Sequence, residues 1–420
     1  MRLQLTGFLG ILALVATLTG CGGSTASSGS GGGGNTTITV NFTGAAPIAV
    51  AYQTGTGAFT SATLQGSALT FQLPTGTTDF SFAYVCTEGV LNGTYNTEDV
   101  IYANVNDGTT FSGGCIANGA LQLGSLSGAV DASAFGNANS LEIHGYYSAD
   151  DFDYFINTVP IAQAQSFNIP LIKGSNDVLI TPLDSTGAII AAKELTNQTV
   201  PGTLNGGNTV TFSTADQTTK ATVAYQNTPA GSTPSTSLYF NADSGAQYVL
   251  GQISTSYPVM PSSLMTGNAA NEVVSTAVTS QGSIVNYFAF SNSGGPITIN
   301  YPNPWTCPST SPAVFPVFDL STYTGFTGNS GKLFSASMMW SPALNINDAI
   351  YLVAYPDAIQ ASALTSPDLS TLSSAFPVPA SGDSVNWSDK IMQYSSGIVK
   401  STPPNSSVSE VGCGGTFTAP

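Results

Sequence analysis

The chain has almost no positive charge. Of its 420 residues only seven are Lys or Arg, against 23 Asp and Glu, and there is one histidine. Charged residues make up 7% of the chain, where an ordinary globular protein carries about a quarter. Arg2 is the sole arginine. With no basic patch to neutralise phosphates, nucleic acid is excluded as a partner, and so is electrostatic docking on anionic lipid. A single histidine excludes multi-histidine zinc sites, and no Cys-x-x-Cys pair occurs. The sequence also lacks a phosphate-binding loop, a dinucleotide fingerprint in a strand–helix setting and a Gly-x-Ser-x-Gly nucleophile elbow. No recognisable catalytic constellation remains, and the chain reads as a non-enzyme.

What covers the surface instead is Ser, Thr, Asn, Gln and Gly, which stay hydrated at any pH. A surface that does not depend on ionised carboxylates suits an acidic or variable medium. Apolar residues are ample for packed cores, at 42%. Four cysteines lie beyond Cys21: Cys86, Cys115, Cys307 and Cys413. An even number in an oxidising compartment reads as two disulfides. Of the three pairings, Cys86–Cys115 and Cys307–Cys413 are expected, because each then lies within one organisational block.

The N-terminus carries a targeting pattern. Arg2 is followed by an apolar run, Phe8 to Leu18, too short to span a bilayer, and then by Leu18-Thr19-Gly20-Cys21. This tetrapeptide resembles the lipobox of bacterial lipoproteins. The resemblance covers only this leader, and implies cleavage before Cys21 and acylation of its sulfur and new amino terminus. Residues 1–20 are then a signal peptide and 21–36 a lipidated cysteine on a Gly/Ser-rich tether that cannot bury enough apolar surface to fold. Loss of Arg2 leaves six lysines against 23 acids, a formal charge of −17. Gly22 is not the Asp that favours inner-membrane retention, so the resemblance points to the outer membrane.

Helical periodicity is nearly absent from the rest. Runs such as Thr37-Ile-Thr-Val-Asn-Phe42, Ile48-Ala-Val-Ala-Tyr52 and Thr209-Val-Thr-Phe212 alternate and are rich in β-branched and aromatic residues. Gly, Asn, Ser and Pro clusters break them every eight to twelve residues or so, the mark of antiparallel sandwiches. The expected fold is all-β: tandem antiparallel β-sandwich units, in the style of prealbumin-like or fibronectin-like modules. The units are placed at 37–118, 119–216 and 217–420, the last large enough for two. Phe71-Gln-Leu-Pro through Phe82 and Phe167-Asn-Ile-Pro through Ile180 read as a weak internal repeat of strand, Pro, Gly turn, Asp and strand, suited to a hairpin edge. One helical piece is expected over 357–374 as one or two short turns, since Pro367 interrupts it.

Three groups of residues are candidates for function. Glu142 and His144 share one face of a strand and could form a His–carboxylate pair. Asp150, Asp151 and Asp153 crowd a loop where calcium is the one cofactor to consider, although their spacing does not match an EF-hand. Tyr146, Tyr147, Tyr154 and Trp387, with Phe152 and Phe155 nearby, are the aromatic platforms a sugar would use. Trp340 follows an apolar strand and reads as core, Trp305 as packing beside Cys307. Glu88, Glu98 and Asp99 are loop acids that a glycosidase would require in pairs. The sequence favours a non-catalytic structural or binding role at the cell envelope, with an anchored membrane contact and a protein or polysaccharide partner. A carbohydrate-binding or adhesive module comes second and a polysaccharide-acting hydrolase third. From the surface composition alone, the unfolding midpoint should stay flat from neutral pH down to about 3, near unperturbed carboxyl values; a steep loss below about pH 5 would contradict it.

Overall fold

The structure is a computed structural model that describes residues 35–90, 93–115, 122–147, 154–164, 166–280, 282–307, 313–326, 331–343, 346–355, 357–358, 363–395 and 405–420. Strands make up 59% of it and nearly all of its regular secondary structure, arranged as tandem sandwiches. In the first strand, Thr36–Gly44, the alternation seen in the sequence buries Ile38, Val40 and Phe42 on one face. This strand lies in the middle of a three-stranded sheet, antiparallel to Ala68–Leu73 and parallel to Thr110–Cys115. Across the core stands an antiparallel layer in the order Thr60–Ala62, Ala49–Thr54, Asp79–Val90, Gly93–Asn104.

The same topology then recurs twice. In the second sandwich the central strand is Leu123–Gly128, flanked by antiparallel Phe167–Ile172 and parallel Gly202–Thr203. Its layer runs Tyr154–Pro160, Ser140–Tyr147, Gly174–Leu183, Lys193–Val200. In the third, Thr219–Gln226 lies between antiparallel Ser256–Val259 and parallel Ile297–Asn300. The matching layer runs Gln247–Ile253, Ser235–Asn241, Ala270–Val278, Ile284–Ser291.

A final four-stranded sheet joins the first sandwich to the third. Ser407–Thr418, Ser384–Tyr394, Lys332–Ala343 and Ile346–Ala354 pair in that order, all antiparallel. At one side Ser407–Thr418 continues antiparallel onto Ile284–Ser291. At the other, Ile346–Ala354 pairs parallel with Gly93–Asn104. Three groups of four strands thereby become one 12-stranded sheet.

Its edges are protected, as unpaired strands must be to avoid aggregation. One outer strand, Thr60–Ala62, is only three residues long. The other, Gln247–Ile253, is covered by the second sandwich, where Tyr248 Oη donates to Glu194 Oε1 at 3.0 Å. In the second sandwich the strand equivalent to the two that the final sheet covers is Lys193–Val200, and among the described residues no other strand pairs beyond it. This strand carries Lys193 and Glu194, a register shift opposite Asn176/Val178 and Asn197 at φ 56°. Charge, bulge and a left-handed residue all blunt an edge. The covered edges are regular and carry apolar runs, Val100-Ile-Tyr-Ala103 next to the buried Glu98 and Asp99, and Ile284-Val-Asn-Tyr-Phe288 around Asn286.

Two local expectations change. The Pro/Gly motif is not a hairpin: Ala68–Leu73 and Phe167–Ile172 lie in the small sheets, while Asp79–Val90 and Gly174–Leu183 lie in the layers opposite. The motif is a crossover between layers, at the same topological position in both sandwiches. In the first motif Pro74 follows the last paired residue, Leu73, and Gly76, at φ 83°, turns the chain; in the second Pro170 stays inside the strand, registered with Ser125. Over 357–374 no helix forms among the described residues. Ala363–Thr365 is instead a strand antiparallel to Val317–Asp319, and Pro367 holds Ser366 out of helical conformation. Leu364 and Leu369 are nonetheless buried, as the pattern required.

Both disulfides join the expected cysteines, Cys86–Cys115 and Cys307–Cys413. Trp305 and Trp340 are both buried in the core that holds Cys413, with Cys307 packed against it. The loops closed span 29 and 106 residues, worth about 3.6 and about 4.8 kcal/mol in the chain-entropy model. Replacing Cys307 and Cys413 with Ser should therefore lower the urea unfolding free energy more than replacing Cys86 and Cys115. The reverse order would place the larger constraint elsewhere.

Candidate functional site: carboxyls inside the sheet

The acids read as loop residues lie on strands and are buried. Glu88 belongs to Asp79–Val90, and Glu98 and Asp99 to Gly93–Asn104, at the junction with the final sheet. A strand turns successive side chains to opposite faces, so Glu98 and Asp99 stand back to back. They cannot flank one glycosidic bond, which removes them as a hydrolytic pair.

On one face Asp99 registers with Tyr84 on one neighbour and Tyr351 on the other. Burial pushes its carboxyl up to about 7; Glu88 adds to the rise, and a hydrogen bond with Tyr84 opposes it. Thr97 Oγ1 contacts Glu88 Oε1 at 3.5 Å. On the other face Glu98 is 1% exposed and registers with Val85 and Ile350. Burial, then Asp99 and Asp368, hold its carboxyl well above the ordinary range. Its Oε1 has no hydrogen-bond partner among the described residues.

Two further carboxyls share this condition. Asp389, fully buried, accepts the Cys413 N–H at 3.2 Å, and burial still raises it to about 7, with Asp319 adding to the rise. Burial also raises Glu272 to about 7, against hydrogen bonds from Asn241 Nδ2 (2.8 Å) and Gln247 Nε2 (2.9 Å). Glu410, by contrast, is paired: it accepts from Asn286 Nδ2 at 2.6 Å and meets Lys390 Nζ at 3.3 Å. The three residues lie on three adjacent strands and clamp the third sandwich to the final sheet.

The sequence-predicted residues are scattered. His144 is 1% exposed, with Nε2 3.3 Å from Thr181 Oγ1 and 3.6 Å from Glu142 Oε2. Burial lowers its pKa to about 4, so the imidazole is neutral at pH 7 and the contact with Glu142 is polar rather than ionic. Tyr146 is buried where the second sandwich meets the third, edge-on to Tyr248 at 6.3 Å. It is therefore not a platform for a sugar. Tyr147 is half-buried over Gly174. Trp387 is also half-buried, tilted onto Phe318 at 6.1 Å and in contact with Gly415, because the segment holding Val317–Asp319 covers its face. That corrects the expectation of an exposed ring. Cys21, Asp150, Asp151, Asp153, Phe152 and the side chains of Tyr154 and Phe155 lie outside the described residues. Among the described residues no cluster of His, Cys, Asp and Glu could hold a metal ion.

No family model matches the chain, and no curated protein matches it either. Among solved structures, parts of the chain resemble an adhesin candidate from Bacteroides ovatus at 10% identity (37% of this chain, 72% of that one, TM-score 0.16). Part of the chain also resembles a shaft pilin from Lactobacillus rhamnosus GG at 8% identity (42% and 95%, TM-score 0.13). A third likeness is to two B repeat units of the collagen-binding protein of Staphylococcus aureus, at 9% identity (77% and 100%, TM-score 0.13). Likenesses this loose say nothing of what this chain binds.

Acids with raised values keep their protons in the native state where the unfolded chain has lost them, so stability falls as pH rises from about 4 through 7. For Asp99 the rise from 3.8 to about 7 amounts to roughly 4 kcal/mol. His144 works the other way, losing stability as pH falls from about 6.5 to 4. The carboxyls outnumber it, so the profile should climb toward acid rather than stay flat. Tyr84→Phe removes the donor to ionised Asp99 and should cost about 1–3 kcal/mol at pH 8 and less at pH 4.5. An equal loss at both would show that the phenol does not serve the carboxylate.

Proposed function

We propose that the protein is an exported, lipid-anchored structural or adhesive display protein of the bacterial cell envelope, without catalytic activity. What supports the reading is the architecture: three sandwiches of one topology, locked by a closing sheet, with two internal disulfides and few surface charges. Such a body is a rigid spacer whose loops and faces are available to a partner. The blunted strand Lys193–Val200 argues against recognition by strand addition at that edge. The lipobox-like Leu18-Thr19-Gly20-Cys21 and the Gly/Ser-rich tether supply the anchor, on the outer membrane in this reading. Among the described residues no helix is long and apolar enough to cross a membrane. A protein or polysaccharide of the envelope or outside the cell is the partner.

Growth of a lipoprotein-processing bacterium expressing the full chain with labelled palmitate tests the anchor. Label should enter the wild-type protein and be lost in Cys21→Ser. Crosslinked capture from intact envelopes tests the partner class, with both protein and glycan analysed. One recurrent protein supports the structural role, and retained polysaccharide alone supports the carbohydrate-binding one. Unlabelled protein released to the medium would overturn the anchored reading.

A further inference from the structure

The junction between the first sandwich and the final sheet is held without a covalent bond. Cys86–Cys115 closes inside the first sandwich and Cys307–Cys413 inside the last block, so neither crosses it. What crosses is one parallel ladder, Thr97–Tyr102 against Ala349–Ala354, with apolar packing on each face: Phe111 against Tyr355 at 5.8 Å on one side, Val100 and Leu352 in the shared core on the other. Two side-chain hydrogen bonds are added: Tyr102 Oη donates to the Thr365 carbonyl at 2.6 Å, and the Asn96 N–H donates to Asp348 Oδ1 at 2.9 Å.

Glu98 and Asp99 stand within that ladder, registered with Ile350 and Tyr351. Among the described residues, the titratable groups that face them are acids and phenols. Asp99 meets Tyr84 and Glu88 from the strand before it and Tyr351 from the strand across the junction. Glu98 meets Asp368 from the covering segment and Tyr102 from its own strand. Lys193 pairs with Asp216 and Lys390 with Glu410, so neither of these lysines compensates Glu98 or Asp99. The Lys390–Glu410 clamp secures the far side of the final sheet, not this one. Ionising two buried carboxyls back to back in one ladder places like charges where neither water nor a cation can screen them.

We propose that this junction is an acid-tightened joint: with Glu98 and Asp99 protonated the parallel ladder locks the first sandwich to the final sheet, and with both ionised the ladder loosens while each disulfide-closed body stays folded. The asymmetry between the two sides of the final sheet is what makes this a joint and not a general weakness. On its third-sandwich side the buried acid has a lysine and an asparagine, and on its first-sandwich side the acids have neither.

Hydrogen exchange with mass-spectrometric readout, on the full folded body at pH 5 and pH 8 and corrected for intrinsic rates, tests the joint. Amides of 97–102 and 349–354 should lose at least about tenfold protection at pH 8, while Ser384–Tyr394 and Ser407–Thr418 change little. The double variant Glu98→Gln with Asp99→Asn should keep its pH 5 protection at pH 8. Equal loss over all strands, no loss at the ladder, or an unchanged loss in the double variant would overturn the proposal. If the double variant fails to fold, X-ray scattering on the wild-type chain decides. A larger radius of gyration at pH 8 with secondary structure intact supports the joint, and an unchanged radius overturns it.

Discussion

The parallel ladder between Gly93–Asn104 and Ile346–Ala354 is the constraint on which the rest of the architecture depends. Without it the chain would be three sandwiches in a row followed by a small sheet with an open edge. With it, strands some 250 residues apart become neighbours and the sheet reaches 12 strands. Parallel pairing is slightly weaker per residue than antiparallel and needs a long connection. Here the connection includes two whole sandwiches. The entropy of closing so long a loop grows only slowly with its length, so the packing around Val100, Leu352, Phe111 and Tyr355 can offset it.

Charge is distributed in an unusual way around that constraint. The exterior is mostly neutral and polar, and several of the chain's few acids lie inside, at Glu98, Asp99, Glu272, Asp389 and Glu410. Of these five, Glu410 alone has a lysine partner among the described residues. The others are tolerable because a buried carboxyl keeps its proton and stays neutral at moderate acidity. Burial of these carboxyls is expected to make the protein firmer in an acidic medium, for a reason that lies in the core and not on the surface. The surface merely does nothing to oppose it.

Much of this was legible in the sequence, and the illegible parts have physical causes. Alternation gave the strands, as in Thr36–Gly44, because one face of each is buried and the other wet. The two Pro/Gly motifs marked equivalent corners, but local turn chemistry does not say whether the next strand stays in its sheet or crosses to the opposite one. The third copy of the topology carries no such motif, because its corresponding connection, from Ser256–Val259 to Ala270–Val278, is longer and built differently. Thr97-Glu98-Asp99 looked like a loop, since adjacent acids on a strand buried on both faces contradict every compositional expectation. Only the long-range ladder reveals their burial, and no local pattern encodes a partner at Ile350 and Tyr351. Trp387 looked exposed among polar neighbours until the Val317–Asp319 segment was seen to lie over it.

Disulfide trapping across the ladder tests this account most directly. Val100 and Leu352 are registered partners on the same buried face, within the reach a disulfide requires for neighbouring strands about 5 Å apart. Val100→Cys combined with Leu352→Cys should form an intramolecular bond under mild oxidation, and the offset pair Val100→Cys with Ala354→Cys should not. A bond in neither pair, in both alike, or only between molecules would contradict a single sheet running from the first sandwich through the final block to the third.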